Sequence, residues 1–224
     1  MLNIIYQDEN YIVCRKPVGV TSQKDDSKKD MTELISERIG IPADSVHPVH
    51  RLDTLVGGTM IYAVSKPGAA ELGRLISQNL MTKQYLAVVH GCPEAQSGIF
   101  EDLLFKDTKR SKSFVVKRMR KGVKNAKLEY KVLGTANTDS GVISLVKIKL
   151  HTGRTHQIRV QFSSRKMPLL GDRQYGSGKD GCPVALWSHS LDFVSPFDGQ
   201  KVTYSTLPDS SEFPWNMFDL SSVM

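Results

Sequence analysis

Apolar positions along the chain switch between strand-like alternation and helix-like spacing, and these switches predict the order of elements. "NYIVCRKPVG" (10–19) reads as a strand stopped at Pro17 and turned at Gly19. The polar stretch "QKDDSKKD" (23–30) is a loop. Asp30 stands three residues before Glu33, as in a capping box, and opens the helix "MTELISERIG". Leu34, Ile35 and Ile39 share one face of that helix, and Gly40 and Pro42 close it. "TMIYAVSK" (59–66) is a strand, followed by a helix over "PGAAELGRLISQN" with Ala69, Leu72, Leu75 and Ile76 at helical spacing and Pro67 near its start.

"KQYLAVVHG" (83–91) and "GVISLVKIKL" (141–150) are strands. "AKLEYKVLG" (126–134) sets Leu128, Tyr130 and Val132 against Lys127, Glu129 and Lys131, the alternation of a half-buried strand. In "THQIRVQFSSRKMP" (155–168), Ile158 and Phe162 predict a short helix, N-capped by Thr155 and limited by Pro168. Strands and helices mix without strict βαβ alternation, which points to an α+β fold. With no internal repeat, low-complexity segment or linker, residues 1–224 read as a single domain.

Composition narrows the setting. Hydrophobic residues make up 40% of the chain, enough for a sizeable core. No apolar run approaches the roughly 20 residues that span a bilayer, so no membrane partner is expected. The start "MLNIIYQDEN" resembles neither a signal nor a transit peptide, so an intact N-terminus and a cytoplasmic location are expected. Cys14, Cys92 and Cys182 are scattered singles, which argues against a disulfide framework and against a thiolate zinc site. His47, His50, His90, His151, His156 and His189 have no carboxylate or thiolate at matching spacing, so no metal is expected. Phe213, Trp215 and Phe218 should pack the tail, with the final "LSSVM" frayed.

Charge adds more. The chain carries +7, but residues 106–127 hold ten Lys and Arg against the single Asp107, so the other 202 residues sum to −2. Lys109, Arg110, Lys112, Lys117, Arg118, Arg120 and Lys121 stand in this stretch, with Phe114 and Met119 interleaved. Such density predicts a loop that tracks the phosphates of a nucleic acid.

Two short segments gather candidate chemistry. In "HRLD" (50–53), an extended backbone would send Arg51 and Asp53 to one face and Leu52 into the core. Gly57 and Gly58 follow, freeing the backbone to turn or to let a ligand approach. A structural ion pair explains this pattern as well as a site does. In "HTGRTHQIR" (151–159), Arg154, His156, Gln157 and Arg159 bunch donors after a strand end, where binding loops tend to sit.

At these segments the chain resembles the RluA family of RNA pseudouridine synthases. The matching blocks are "VHRLDTLVGGTMIYAVSK" and "HTGRTHQIRVQFSSRKMPLLGDRQYG", with "IIYQDENYIVCRKPVGVTS", "KQYLAVVHG" and "ALWSHSLDFVSPFDG" in order around them. The resemblance implies a largely antiparallel mixed sheet in two fused lobes with a central active-site cleft. It implies that Asp53 is the essential aspartate, that Arg51 helps hold a flipped nucleotide, that Tyr85 packs on the uracil and that Arg159 salt-bridges the aspartate. The basic stretch around "SFVVKRM" falls where members carry an RNA-gripping insertion. Two departures stand out: "TLVGG" follows the aspartate where many members read Lys-x-Thr-Ser-Gly, and the chain begins at the catalytic block, without the S4 domain of many relatives.

The reaction so implied breaks the N1–C1′ bond of uridine and joins C5 to C1′. It needs neither redox nor hydrolysis, so no cofactor is expected, and one carboxylate serves as nucleophile or as base. The expected partner is ribosomal or transfer RNA, bound by a monomer. The alternative is an RNA-binding or RNA-folding factor in which the isomerase site is secondary. A small-molecule enzyme using the arginines for an anion is disfavoured, because no phosphate-cradling glycine-rich loop is present.

Overall fold

The computed structural model describes residues 2–25 and 27–223, so Asp26 of the polar loop and Met224 of the tail lie outside the described residues. In chain order the elements are β1 (Asn3–Gln7), β2 (Tyr11–Lys16), α1 (Met31–Ile39), β3 (His47–Pro48), β4 (Gly57–Ala63), α2 (Lys66–Ser77) and β5 (Thr82–His90). There follow β6 (Ser97–Asp107), β7 (Lys112–Val116), β8 (Val123–Thr138), β9 (Gly141–Leu150), α3 (Gln157–Ser163), β10 (Leu186–Val194) and β11 (Lys201–Ser205). Strand dominates and most pairings are antiparallel, while β4 and β10 run parallel, which makes an α+β fold with mixed pairing. No helix among the described residues is long and apolar enough to cross a membrane.

Two compact units emerge, residues 1–83 with 187–208 and residues 84–186 with 209–224. In the first, the strands run β1-β2-β4-β10, with β3 on β4 and β11 on β10. All seven residues of β4 are buried, as expected of a strand with neighbours on both edges and cover on both faces. Tyr11, Val13, Ile61, Ala63, Leu72, Leu75, Leu191 and Phe193 form its core. The helices start and stop as their sequences predict. Asp30 caps α1 by accepting from the amides of Thr32 and Glu33, and Gly40 ends it in the left-handed conformation. Ser65 caps α2 through the Gly68 amide at 3.0 Å.

The glycine pair that follows "HRLD" supplies the backbone freedom expected of it, at Gly58. Gly58 has φ +122 at the start of β4, and a Cβ there would lie 2.2 Å from the Ser188 carbonyl oxygen. The close neighbour there is the backbone of β10, its parallel partner.

In the second unit the order is β5-β9-β8-β6-β7. The alternation read in 126–134 sits inside the long β8, with Leu128, Tyr130 and Val132 buried. The basic stretch is not a loop. Most of it is strand: the end of β6, all of β7 and the start of β8. Phe105 pairs with Phe114 on one side and with Val123 on the other, and these cross-strand contacts hold the charged stretch in a sheet.

Helix α3 forms as predicted, but Thr155 does not cap it. The chain enters through His156 in a left-handed conformation (φ 53, ψ 25), with no side-chain cap. The Thr155 carbonyl instead accepts from Ser113 Oγ at 2.7 Å. The tail is not frayed over its described residues: Trp215, Leu220 and Val223 are buried, whereas Phe213 is exposed.

Gly58→Ala should destabilise the fold by roughly 3 kcal/mol or more, because left-handed strain and a backbone collision add. Chemical denaturation checks this, and a loss below about 1 kcal/mol would contradict the close β4–β10 approach.

Candidate active site and RNA interface

Asp53 lies in a coil between β3 and β4, and neighbouring segments clamp that coil on both sides of the carboxylate. Ser22 bonds Leu52 twice, its hydroxyl donating to the Leu52 carbonyl (2.6 Å) and accepting from the Leu52 amide (3.0 Å). Tyr62, fully buried, donates to the Ser22 carbonyl (2.9 Å) and so steadies the clamp from β4. On the far side, the Gly19 amide donates to the Thr54 carbonyl at 2.8 Å. The segment is therefore not extended strand. Leu52 is nevertheless buried as expected, while Arg51 is exposed and its guanidinium reaches Gln23 Oε1 at 3.5 Å.

Lys16 completes the clamp, and the sequence reading assigned it no role. Its side chain is wholly buried, and Nζ donates to the carbonyls of Pro17 (2.8 Å) and Thr54 (3.2 Å). Burial pulls the ammonium down to about 8, against the opposing pull of the nearby Asp53 carboxylate.

His50 adjoins the same coil. Its Nε2 accepts from the Ile61 amide at 3.4 Å, and Nδ1 has no partner among the described residues. Burial, with the Lys83 charge adding to it, pushes the imidazole down to about 3. It is therefore neutral at physiological pH. Among the described residues, no group of three or more His, Cys, Asp or Glu is placed to hold a metal ion.

The second unit holds Tyr85 and Arg159. Tyr85 is buried in β5. Arg159 is on α3, whose residues from Gln157 to Phe162 are all buried, so each polar side chain there needs partners. Gln157 is bonded by Thr152 Oγ1 (2.8 Å) and donates to the Lys127 carbonyl (3.1 Å). Arg159 forms a two-pronged pair with the fully buried Asp172, Nε at 2.7 Å and Nη2 at 2.9 Å. Burial alone would raise the Asp172 carboxyl, but Arg159 and the amides of Gln174 and Tyr175 outweigh it and hold the group below the usual carboxylate range. Asp172 was missed at the sequence level, although it stands in the quoted "GDRQYG".

The basic residues divide. Lys109 and Arg110 occupy the exposed turn between β6 and β7, and Lys117, Arg118 and Lys121 the exposed connection between β7 and β8. Arg120 is also exposed and stacks over the Phe105 ring at 5.1 Å. Lys112 differs, for it is half-buried and donates to the Gln174 carbonyl at 2.6 Å.

Comparison with known proteins assigns a class. Residues 10–164 match the RNA pseudouridylate synthase family. The chain is 31% identical to the dual-specificity RNA pseudouridine synthase RluA of Escherichia coli K12, over 93% of this chain and 94% of that protein. It is 27% identical to the tRNA pseudouridine synthase C of Vibrio vulnificus, over 90% of this chain and 89% of the relative. The solved structure of human RNA pseudouridylate synthase domain containing 1 superposes with a TM-score of 0.78 at 24% identity, covering 94% of this chain and 84% of the other, so it shares the fold. The chain is an RNA-modifying isomerase, and it belongs to the RluA family of RNA pseudouridine synthases.

The Lys16 ammonium loses its proton as pH rises through about 8, and the positive charge facing Asp53 goes with it. Pseudouridine formation should therefore decline above that pH, and Lys16→Met should flatten the alkaline limb of the rate profile. Stability moves the opposite way. The unfolded lysine titrates near 10.5, so between about 8 and 10.5 the unfolded chain binds more protons and stability rises with pH. Denaturation curves across that window should show the rise in the parent and its absence in Lys16→Met.

Proposed function

We propose that this chain isomerises specific uridines in ribosomal or transfer RNA, with Asp53 as the catalytic carboxylate. The observation that carries the reading is the clamped coil around Asp53: Ser22 and Lys16 fix the backbone on either side of it, and a buried cation stands nearby. A carboxylate that must meet one sugar or base carbon benefits from such preorganisation. It breaks N1–C1′ and allows C5–C1′ to form, either by adding to the substrate or by taking a sugar proton. Arg51, exposed beside it, grips the backbone of the flipped nucleotide. Tyr85 offers its ring to the uracil, and Arg159 supplies positive charge to the site. Stacking of a base on a tyrosine is worth roughly 1–3 kcal/mol.

The RNA is held by the exposed cations of the β6–β7–β8 sheet, Lys109, Arg110, Lys117, Arg118, Arg120 and Lys121. Relatives named for tRNA and for dual specificity support these RNA classes as substrates. The enzyme works as a monomer in the cytoplasm.

Asp53→Asn should fold as the parent does and leave unmodified every uridine that the parent converts. Pseudouridine mapping of total RNA from cells lacking the gene, complemented with either form, decides this, and activity in the variant would overturn the assignment. Arg118→Ala with Lys121→Ala should weaken RNA binding and reduce the slope of log affinity against log salt by about 1 per charge removed. A titration series from low to high salt reads that slope, and an unchanged slope would place the RNA elsewhere.

A further inference from the structure

Beside α3 lies a set of polar contacts that joins the helix to the basic sheet. The segment Asp172–Tyr175 holds two things at once. Toward α3, Asp172 takes Nε and Nη2 of Arg159, and Gln174 Oε1 accepts from the same Nη2 at 3.3 Å. Toward the basic sheet, the Gln174 side-chain amide donates to the Ser111 carbonyl (3.0 Å), and the Gln174 carbonyl accepts from Lys112 Nζ (2.6 Å). The Tyr175 hydroxyl accepts from the Ser113 amide (2.7 Å) and lies 2.9 Å from His156 Nδ1. The ring of Tyr175 is shared too, with Lys112 Nζ 4.9 Å and the Arg159 guanidinium carbon 5.1 Å from its centre.

One side chain, Gln174, thus bonds a residue of the basic sheet through its nitrogen and Arg159 through its oxygen. One ring, Tyr175, lies against a cation from each. Lys112 spends its charge inward on this junction, unlike the exposed cations around it. A paired guanidinium held by two parallel bonds is rigid, so a shift of the Asp172–Tyr175 segment carries Arg159 with it.

We propose that Asp172–Tyr175 is a coupling element that makes the placement of Arg159 depend on how RNA seats the basic sheet, with Gln174 and Tyr175 as positioning residues. The proposal rests on the RNA-modifying role given above for Arg159 and for the exposed cations. Its physical basis is the steep dependence of catalysis on placement, where about 1 Å of error costs up to about a hundredfold. RNA that grips the sheet in the wrong register would leave Arg159 displaced, so the element would contribute to the choice of uridine.

Tyr175→Phe tests this, because it keeps the ring and removes both hydroxyl bonds. The substrate is RNA from cells lacking the gene. The single-turnover rate at saturating RNA should fall about tenfold, while half-saturation stays within about threefold, since no charge facing RNA is lost. The melting temperature should stay within about 4 °C. In parallel, hydrogen exchange over residues 157–163 is followed with and without the same RNA. RNA should slow exchange there in the parent, and Tyr175→Phe should abolish that response.

A rate within about twofold of the parent would overturn the proposal, as would a joint loss of rate, RNA affinity and melting temperature, which marks a merely structural tyrosine. An exchange response that survives in the variant would overturn it as well. Should the parent form no pseudouridine, the proposed function fails, and the exchange arm still judges the coupling. A response to RNA that the variant lacks upholds it, and no response in the parent overturns it.

Discussion

An ammonium group sealed from water needs acceptors, and Lys16 finds one in the carbonyl of its own neighbour Pro17 and another in that of Thr54, beside Asp53. Desolvating such a charge costs several kcal/mol, which the two carbonyls and a neighbouring carboxylate offset only in part, so the ammonium stays pulled down to about 8. The arrangement ties the end of β2 to the coil that precedes β4, so the sheet itself sets where Asp53 stands. Ser22 fixes the other side of the same coil through Leu52, and Tyr62 fixes Ser22 from β4. Asp53 is thereby carried on irregular backbone that hydrogen bonds fix on both sides.

The second unit solves a related problem on α3. A helix with six consecutive buried residues, three of them Gln157, Arg159 and Gln161, must find partners for most of its polar groups, and among the described residues Gln161 Oε1 alone on this helix has none. Asp172 meets the strongest demand, and Asp102 receives the Gln161 amide at 2.7 Å while also pairing with Arg165 at 2.9 Å. Helix, following loop and basic sheet are consequently linked by hydrogen bonds, and packing among Leu104, Ala126 and Val160 backs them. Arg159 is therefore as firmly oriented as a core side chain.

The outward cations show how strand geometry partitions charge. Lys109, Arg110, Lys117, Arg118 and Lys121 sit in connections and stay exposed, while Lys112, inside β7, is turned inward. The same composition thus yields an exposed rim of cations and one lysine turned inward. Composition alone could not separate the two, because only the strand register decides which way each lysine points.

Much of the fold was legible from local pattern. The Asp30 and Gly40 caps, the alternation of 126–134 and the burial of Leu52 follow from periodicity and side-chain chemistry within a few residues, which a sequence displays directly. Arg51, Asp53 and Arg159 stood out in their segments as candidates, but their roles, and Tyr85 altogether, could be named only by resemblance, since a lone carboxylate carries no motif of its own. What the sequence hid depends on long-range approach. Lys16 gains its meaning from Thr54, 38 residues on, and Ser113 from Tyr175, 62 residues on. Gly58 answers to Ser188 on another strand, and the basic stretch became strand through the pairing of Phe105 with Phe114 and Val123. Local propensity reports what a segment prefers alone, whereas burial, desolvation and pairing are settled by whichever distant segment the fold brings alongside.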